Sequence, residues 1–206
     1  RFALLKARPV AGDLELGHAL LRSLKPFLYR KYLDFGVFES IRDLKSKIEA
    51  EVRRHSRDKN VKVGRGGIRE IEFVVQAMQL LRGGQIPSLQ VTGFLDALST
   101  LTIEAIISEN DGLQLKQDYL WLRYVEHVIQ AENDKQTQEL PTDCGPLAAV
   151  MGLESADSFE RKRREVTDRV HEAFVSFLRV EKSQAIAEAS IKDEIQECLD
   201  AFLDDP

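Results

Sequence analysis

Apolar residues recur at steps of three and four positions along most of the chain, and this spacing constrains the fold more than any other feature. Residues at such steps share one face of an α-helix, because a helical turn contains 3.6 residues. No segment shows the sustained alternation that is typical of a half-buried β-strand. The sequence therefore predicts an all-α fold. The spacing is clearest in four sets of residues: Phe38, Ile41, Leu44, Ile48 and Val52; Leu113, Leu120, Tyr124 and Val128; Phe159, Val166, Val170, Phe174 and Phe177; and Ile191, Ile195, Leu199 and Phe202.

The pattern, together with helix-capping and helix-breaking residues, divides the chain into nine predicted helices. Ser108, Asn110 and Asp111 are possible caps for one long helix, and Ser155 precedes another. Glycine and proline lie in the short connections, which favours an antiparallel helical bundle. Residues 1–182 are predicted to form one helical domain, and residues 183–206 a final helix or the start of a linker. The predicted helices are 2–8, 13–25, 37–56, 67–82, 92–102, 110–132, 143–151, 155–181 and 188–203.

Charge and composition argue against several classes of protein. The net charge of −5 is unusual for a protein that binds nucleic acid. No apolar run approaches the length of a membrane span, so no contact with a membrane is expected. Cys144, Cys198 and the four histidines have no metal-ligand or disulfide spacing, and a reducing cytoplasm is the expected location. The chain begins at Arg1 without a signal peptide, which suggests a piece of a longer protein.

The stretch NVKVGRGGIREIEFVVQAMQLLRGG, residues 60 to 84, combines glycines and cations with the start of an apolar helix. On a helical wheel, Arg69, Glu72, Gln76 and Gln79 form one polar stripe, whereas Glu70 falls within the apolar sector. This stretch supplies the candidate residues for contact with a nucleotide or a phosphate: Lys62, Gly64, Arg65, Gly66, Gly67, Arg69, Glu70 and Glu72.

Two interpretations of this stretch remain open. A helix N-terminus attracts anions, and glycines allow a phosphate to approach the backbone closely. The same glycines could instead serve a tight turn before a core helix, with Glu70 merely favourable to the helix dipole. The glycine spacing matches neither the Walker motif nor the dinucleotide-binding motif.

Other charged and aromatic residues have ordinary structural interpretations. Arg123 and Glu126, three positions apart, are predicted to form a surface pair. Trp121 and Tyr124 are predicted to lie in the core. The charge run at 160–169 is predicted to be a solvated helix face, and residues 134–141 a loop.

The motifs KVGRGGIREIEFVVQ, LLRGGQIPSLQ and YLWLRYVEHVIQAENDKQTQELP resemble those of the bifunctional glutamine synthetase adenylyltransferase/adenylyl-removing enzymes. The resemblance begins at LLKARPVAGD, covers most of residues 4 to 141, and is thinner beyond about 150. The motif wording is closest to the amino-terminal, adenylyl-removing half of that family. The uridylyltransferase of the PII signal protein carries a similar glycine-rich run.

The resemblance implies a role in the control of glutamine synthetase in nitrogen metabolism. In that family, each half pairs a nucleotidyltransferase domain with a helical domain. One half transfers AMP from ATP to a tyrosine of glutamine synthetase, and the other removes it by phosphorolysis, which yields ADP. The implied partners are glutamine synthetase, the PII signal protein and the nucleotidyltransferase domain.

One difference from the family pattern limits what this chain does alone. The Asp-x-Asp pair and the third carboxylate, which hold Mg²⁺ in the catalytic core of that family, are missing from this chain. No catalytic residue, metal or cofactor is therefore expected here, and Mg²⁺ with ATP or ADP is expected only in the full-length enzyme. The resemblance implies the helical companion domain of a nucleotidyltransferase, inactive by itself. The alternative is a scaffold that docks glutamine synthetase, the PII protein or the other half of the enzyme.

Overall fold

The computed structural model describes residues 1–29, 59–131 and 136–203, with side chains described as far as residue 179. In these ranges the all-α prediction is confirmed, and the β-type pairing is a single antiparallel bridge between Asn60 and Glu139. The predicted helix at 37–56 lies outside the described residues. The helices are α1 (Phe2–Leu5), α2 (Leu14–Leu28), α3 (Ile68–Arg82), a 3₁₀ turn (Pro87–Leu89), α4 (Phe94–Ile103), α5 (Glu109–Ala131), α6 (Gly145–Val150) and α7 (Ala156–Leu203).

Helix α3 lies at the centre of the bundle and is buried on most of its surface. One flank, which includes Ile68, Ile71 and Val75, packs into the main core formed with α4, α5, α6 and α7. The other flank packs on α7, where the ring of Phe73 meets that of Phe174 edge to face at 5.5 Å between centroids. A helix enclosed in this way keeps only a narrow polar surface, as the wheel predicts.

Gln79 is a correction to that wheel. Its side chain was predicted to lie on the polar stripe but is 4% exposed. The Nε2 group donates hydrogen bonds to the carbonyl oxygens of Leu89 and Val91, each at 2.9 Å. An amide is tolerated in a core when its donors are satisfied, and here it joins α3 to the chain around the 3₁₀ turn.

Helix α7 is continuous over 48 residues, so the predicted break between helices 155–181 and 188–203 is wrong. The intervening residues contain no glycine or proline, and Lys182, Gln184 and Ala185 favour the helical state. The helix passes through residue 182, and the division of the chain at that point stays a prediction. Its start agrees with the sequence, because the N–H of Ser158 donates to Ser155 Oγ at 3.2 Å.

Helix α5 presents a different face to the core from the one predicted. Leu113, Leu120 and Tyr124 are about half exposed, so the prediction that Tyr124 lies in the core is wrong. Trp121 is partly buried and stacks on Phe159 at 5.8 Å between ring centroids. The buried face contains two carboxylates among its apolar residues, and they interrupt the apolar spacing from which a buried face is predicted. It consists of Gly112, Leu115, Asp118, Tyr119, Leu122, Val125, Glu126 and Ile129.

In the part of the chain that the structure describes, no helix combines the length and apolar character needed to cross a bilayer.

Candidate functional site

The glycine-rich loop before α3 folds back on itself through its own backbone. The N–H groups of Ile68 and Arg69 donate to the carbonyl oxygens of Val61 and Lys62, at 3.2 and 3.0 Å. The N–H of Gly67 donates to the carbonyl of Gly64 at 3.0 Å. Donors that a helix N-terminus would otherwise present to an anion are thus used inside the loop. Binding of a phosphate near this loop therefore depends on side chains.

At two of the three glycines of this loop, close packing leaves no room for a side chain. Gly66 has a φ of +66°, and a Cβ atom there would lie 1.8 Å from the carbonyl oxygen of Thr167 on α7. A Cβ at Gly67 would lie 2.7 Å from the carbonyl oxygen of Val61. Both distances are shorter than real contacts of a Cβ atom, so Gly66 lets the loop pack directly against α7 and Gly67 lets the loop fold closely on itself.

Charged side chains reinforce this packing. Arg65 Nη1 lies 2.6 Å from Asp168 Oδ1, and both side chains are about half exposed. Because solvent screens an exposed pair, it contributes well under about 1 kcal/mol. Arg65 is thus paired with α7 across the loop.

Glu70 is buried beneath the loop and reaches the same helix. Its Oε2 atom lies 3.0 Å from Nδ1 of His171. Burial raises the pKa of Glu70, while His171 opposes that rise through its charge and hydrogen bond, and the N–H of Gly66 opposes it by a further hydrogen bond. The helical wheel placed Glu70 correctly in the apolar sector, but no local pattern pointed to His171, which lies 101 positions away.

The polar surface of α3 continues onto a row of charged residues from three other segments. We call Lys6, Lys62, Arg69, Glu72, Arg123 and Glu126 the charged strip. Lys6 Nζ lies 3.0 Å from Glu72 Oε1, which joins the segment after α1 to α3. Arg69 is exposed and lies one turn before Glu72 on the same face of α3.

Glu126 occupies the inner edge of the charged strip and is only 2% exposed. Its Oε2 atom accepts a hydrogen bond from Arg123 Nη1 at 2.7 Å, and its Oε1 atom lies 3.7 Å from Lys62 Nζ. Arg123 and Glu126 do form the predicted pair, but the prediction that Glu126 lies at the surface is wrong. Glu126 is a core group that two cations from different segments neutralise.

Tyr119 lies beside Arg123 of the charged strip. Its pKa is raised mainly by burial, with opposing effects from Arg123 and smaller raising effects from Glu72 and Glu126. The guanidinium of Arg123 lies 5.9 Å from the centre of the Tyr119 ring. The side chains of α3 and α5 in the strip are thus close enough to influence one tyrosine hydroxyl.

The charged strip is positive, although the whole chain is acidic. It contains four cationic side chains and two carboxylates, whereas the chain has a net charge of −5. A local positive surplus on an acidic protein attracts anions more than cations. Of the residues predicted from the sequence, Lys62, Arg69 and Glu72 belong to the strip. Arg65, Gly66 and Glu70 secure the loop to α7, and Gly64 and Gly67 contact each other within the loop.

A cavity of about 610 Å³ lies among α3, α5 and α7, and it shares residues with a second ion pair whose carboxylate is buried. Asp118 is 2% exposed and receives Arg169 Nη2 at 2.6 Å and Nε at 3.2 Å. Gln114 donates to the same carboxylate at 3.1 Å. Arg169 falls in the charge run at 160–169, so the prediction that this run is only a solvated face is wrong at that residue.

Among the described residues, no group of three or more His, Cys, Asp or Glu side chains is arranged to hold a metal ion. The described side chains therefore do not fit a magnesium site.

Residues 42–178 match a family model described as GlnD PII-uridylyltransferase. The chain belongs to this family. The matched range contains the glycine-rich loop, the whole of α3 and α5, and all of the charged strip except Lys6.

The resemblance predicted from the motifs is confirmed by the proteins to which the chain is similar. Proteins named bifunctional glutamine synthetase adenylyltransferase/adenylyl-removing enzyme are similar to this GlnD-family chain. The one from Hahella chejuensis is 52% identical over 143 residues, which is 69% of the chain and 15% of that protein. Those from Stenotrophomonas maltophilia strain K279a and Idiomarina loihiensis are 41% and 38% identical over 92% and 97% of the chain. The chain spans 15% to 21% of the length of these relatives.

Proposed function

We propose that this chain is the helical companion domain of a nucleotidyltransferase that controls glutamine synthetase. The complete enzyme would add AMP to a tyrosine of glutamine synthetase and remove it by phosphorolysis, using Mg²⁺ with ATP or ADP bound elsewhere in the protein. The motif wording favours the amino-terminal, adenylyl-removing half. In this proposal the charged strip faces the cleft of the nucleotidyltransferase domain.

The observation that carries the proposal is the positive surplus of the charged strip beside the core helix α3. Phosphoryl and nucleotidyl transfer depend on positioning and on cations that stabilise developing negative charge. Helix α3 is buried along both flanks, so its exposed side chains have a rigid base. Arg69 lies in the first turn of α3 and its side chain is exposed.

The first experiment changes Arg69 to alanine in the full-length protein. If Arg69 stabilises charge on a phosphate, the rate of phosphorolysis of adenylylated glutamine synthetase should fall by roughly 10²-fold or more. The melting temperature should stay nearly unchanged, because Arg69 is exposed. Lys62→Ala should act in the same direction but more weakly.

Lys162→Ala is the matched control, because Lys162 is an exposed cation on α7 and is not one of the residues of the charged strip. It removes the same charge and should leave the rate unchanged. Wild-type phosphorolysis in Arg69→Ala would return the glycine-rich stretch to the role of a turn before a core helix. A rate loss of equal size in Lys162→Ala would show a general effect of net charge.

The chain by itself should be folded but inactive. Several amphipathic helices with short connections bury a substantial core, so circular dichroism should show a helical protein with a cooperative melt. Neither adenylylation nor phosphorolysis is expected from the purified chain, because it lacks the family's metal-binding carboxylates. Magnesium-dependent turnover by the chain alone would contradict this part of the proposal.

A second candidate function is a docking scaffold for glutamine synthetase, the PII signal protein or the other half of the enzyme. It is favoured by Leu113, Leu120 and Tyr124, which are about half exposed along one side of α5. Exposed apolar side chains in a row are typical of interaction surfaces. Partner binding that is lost in Leu120→Asp and retained in Arg69→Ala would support the scaffold, and partner binding that is retained in Leu120→Asp would contradict it.

A further inference from the structure

Two cations lie beside the buried carboxylate of Glu126, although one would neutralise its charge. A buried carboxylate must be neutralised, because an unpaired charge in the core is strongly destabilising. Arg123 alone would do this, through a hydrogen bond of 2.7 Å at the inner side of its guanidinium. Lys62 approaches the other carboxylate oxygen at 3.7 Å, which leaves the group of three with one positive charge in excess.

Both cations also reach towards solvent. The side chains of Lys62 and Arg123 are 38% and 34% exposed, whereas that of Glu126 is 3% exposed. The carboxylate thus lies beneath two cations whose outer sides belong to the charged strip. Lys62 comes from the loop and Arg123 from α5, so Glu126 fixes the spacing between cations of two segments.

We propose that Arg123 is a further phosphate-binding residue of the nucleotidyl-transfer site, and that Glu126 is the positioning residue that holds Arg123 and Lys62 towards it. This inference rests on the proposed function. It adds two residues of α5 to a site for which the sequence indicated only residues 62 to 72.

Arginine chemistry defines the class of ligand. A guanidinium has five N–H donors in a planar fork, and the hydrogen bond to Glu126 engages Nη1. This fork can bind two oxygens of one phosphate at once, whereas the ammonium group of a lysine acts as a single point charge. The ligand is therefore a phosphate group, either inorganic phosphate or a phosphate of the nucleotide.

The test uses steady-state kinetics of the full-length protein carrying Arg123→Gln, Glu126→Gln or both changes. Phosphorolysis is measured against varied inorganic phosphate, and adenylylation against varied ATP. Loss of a charge-assisted hydrogen bond should raise the KM for the bound phosphate source by about tenfold or more in Arg123→Gln. A higher KM for inorganic phosphate identifies that source, and a higher KM for ATP identifies the nucleotide. Arg123→Lys should recover only part of the affinity, because lysine lacks the fork.

The double variant separates binding from simple neutralisation. Arg123→Gln leaves Glu126 with less compensation and should lower the melting temperature, and adding Glu126→Gln should restore it. If Arg123 binds phosphate, the double variant keeps the high KM. If Arg123 only neutralises Glu126, the double variant recovers both the melting temperature and the KM, and the inference is wrong.

Glu126→Gln alone tests the positioning role. It retains both cations but removes the group that holds them, so the KM for the same phosphate source should rise by a few-fold while the fold is kept. An unchanged KM in this variant would contradict positioning. Wild-type KM values in every Arg123 variant, together with a slow Arg69→Ala enzyme, would overturn this inference and leave the proposed function standing. Wild-type kinetics in Arg69→Ala as well would overturn both.

Discussion

Replacing Gly66 with alanine should be among the most destabilising small changes in this chain. Gly66 adopts a φ of +66°, which an L-residue with a side chain rarely accepts. Its added Cβ would also lie 1.8 Å from the carbonyl oxygen of Thr167 and 2.5 Å from the carbonyl carbon. The obstacle is backbone within the long helix α7, so no side-chain rotation relieves it.

The size of the effect follows from these two contributions. The left-handed conformation alone costs an alanine about 1 kcal/mol. Real Cβ atoms do not approach other atoms within 3.0 Å, so the loop and α7 must separate by more than an ångström. This movement would loosen the buried contact between Glu70 and His171 and the packing of Val166 and Val170. Together we expect a loss of about 3 kcal/mol or more in the free energy of unfolding.

Thermal and urea unfolding of the chain would measure this loss. For a protein of this size, about 3 kcal/mol corresponds to a fall in Tm of roughly 6 to 12 °C. Gly152→Ala is the matched control, because Gly152 has a φ of +70° but a Cβ added there would have no atom within 4 Å. The control should lose only about 1 kcal/mol. Equal losses in the two variants would refute the close approach of the loop to α7.

Two further predictions concern buried carboxylates. Arg169→Met should lower the free energy of unfolding by about 2 kcal/mol or more, because it leaves Asp118 buried with Gln114 as its remaining partner. Asp118→Asn should cost less in urea unfolding, since the arginine left behind is 37% exposed and can reach water. Glu70 should make stability depend on pH. Burial raises its pKa above the ordinary 4.5, so its contribution to stability is present below that value and is lost as the pH rises through the raised pKa. The free energy of unfolding of Glu70→Gln, relative to that of the wild type, should therefore increase as the pH is raised from acid to neutral. A difference that stays constant with pH would contradict the raised pKa.

Most of the helical framework could be predicted from local sequence. The predicted helices at 67–82 and 110–132 correspond to Ile68–Arg82 and Glu109–Ala131. Apolar spacing and caps are local properties, so a single sequence displays them. The same spacing placed Glu70 in the apolar sector of α3, and the side chain is indeed buried.

The partners of the buried charges could not be predicted in the same way. Glu70 and His171 are 101 positions apart, and Asp118 and Arg169 are 51 positions apart. Such pairs depend on how helices meet in space, which the spacing within one helix does not record. The orientation of α5 was mispredicted for a related reason. Asp118 and Glu126 interrupt its buried face, whereas Leu113 and Leu120 add apolar character to its exposed face.

Among the side chains that the structure describes, three carboxylates are buried, and their partners separate them into two kinds. Glu70 and Asp118 each pair with a residue of α7, so they fix that helix against α3 and α5. Glu126 instead pairs with Lys62 and Arg123, whose outer sides belong to the charged strip. Removal of one partner from a buried ion pair is destabilising, because the other charge is left without compensation, and it also releases the side chains that the pair positions. Loss of Asp118 should therefore affect the free energy of unfolding, whereas loss of Glu126 should affect the binding of phosphate.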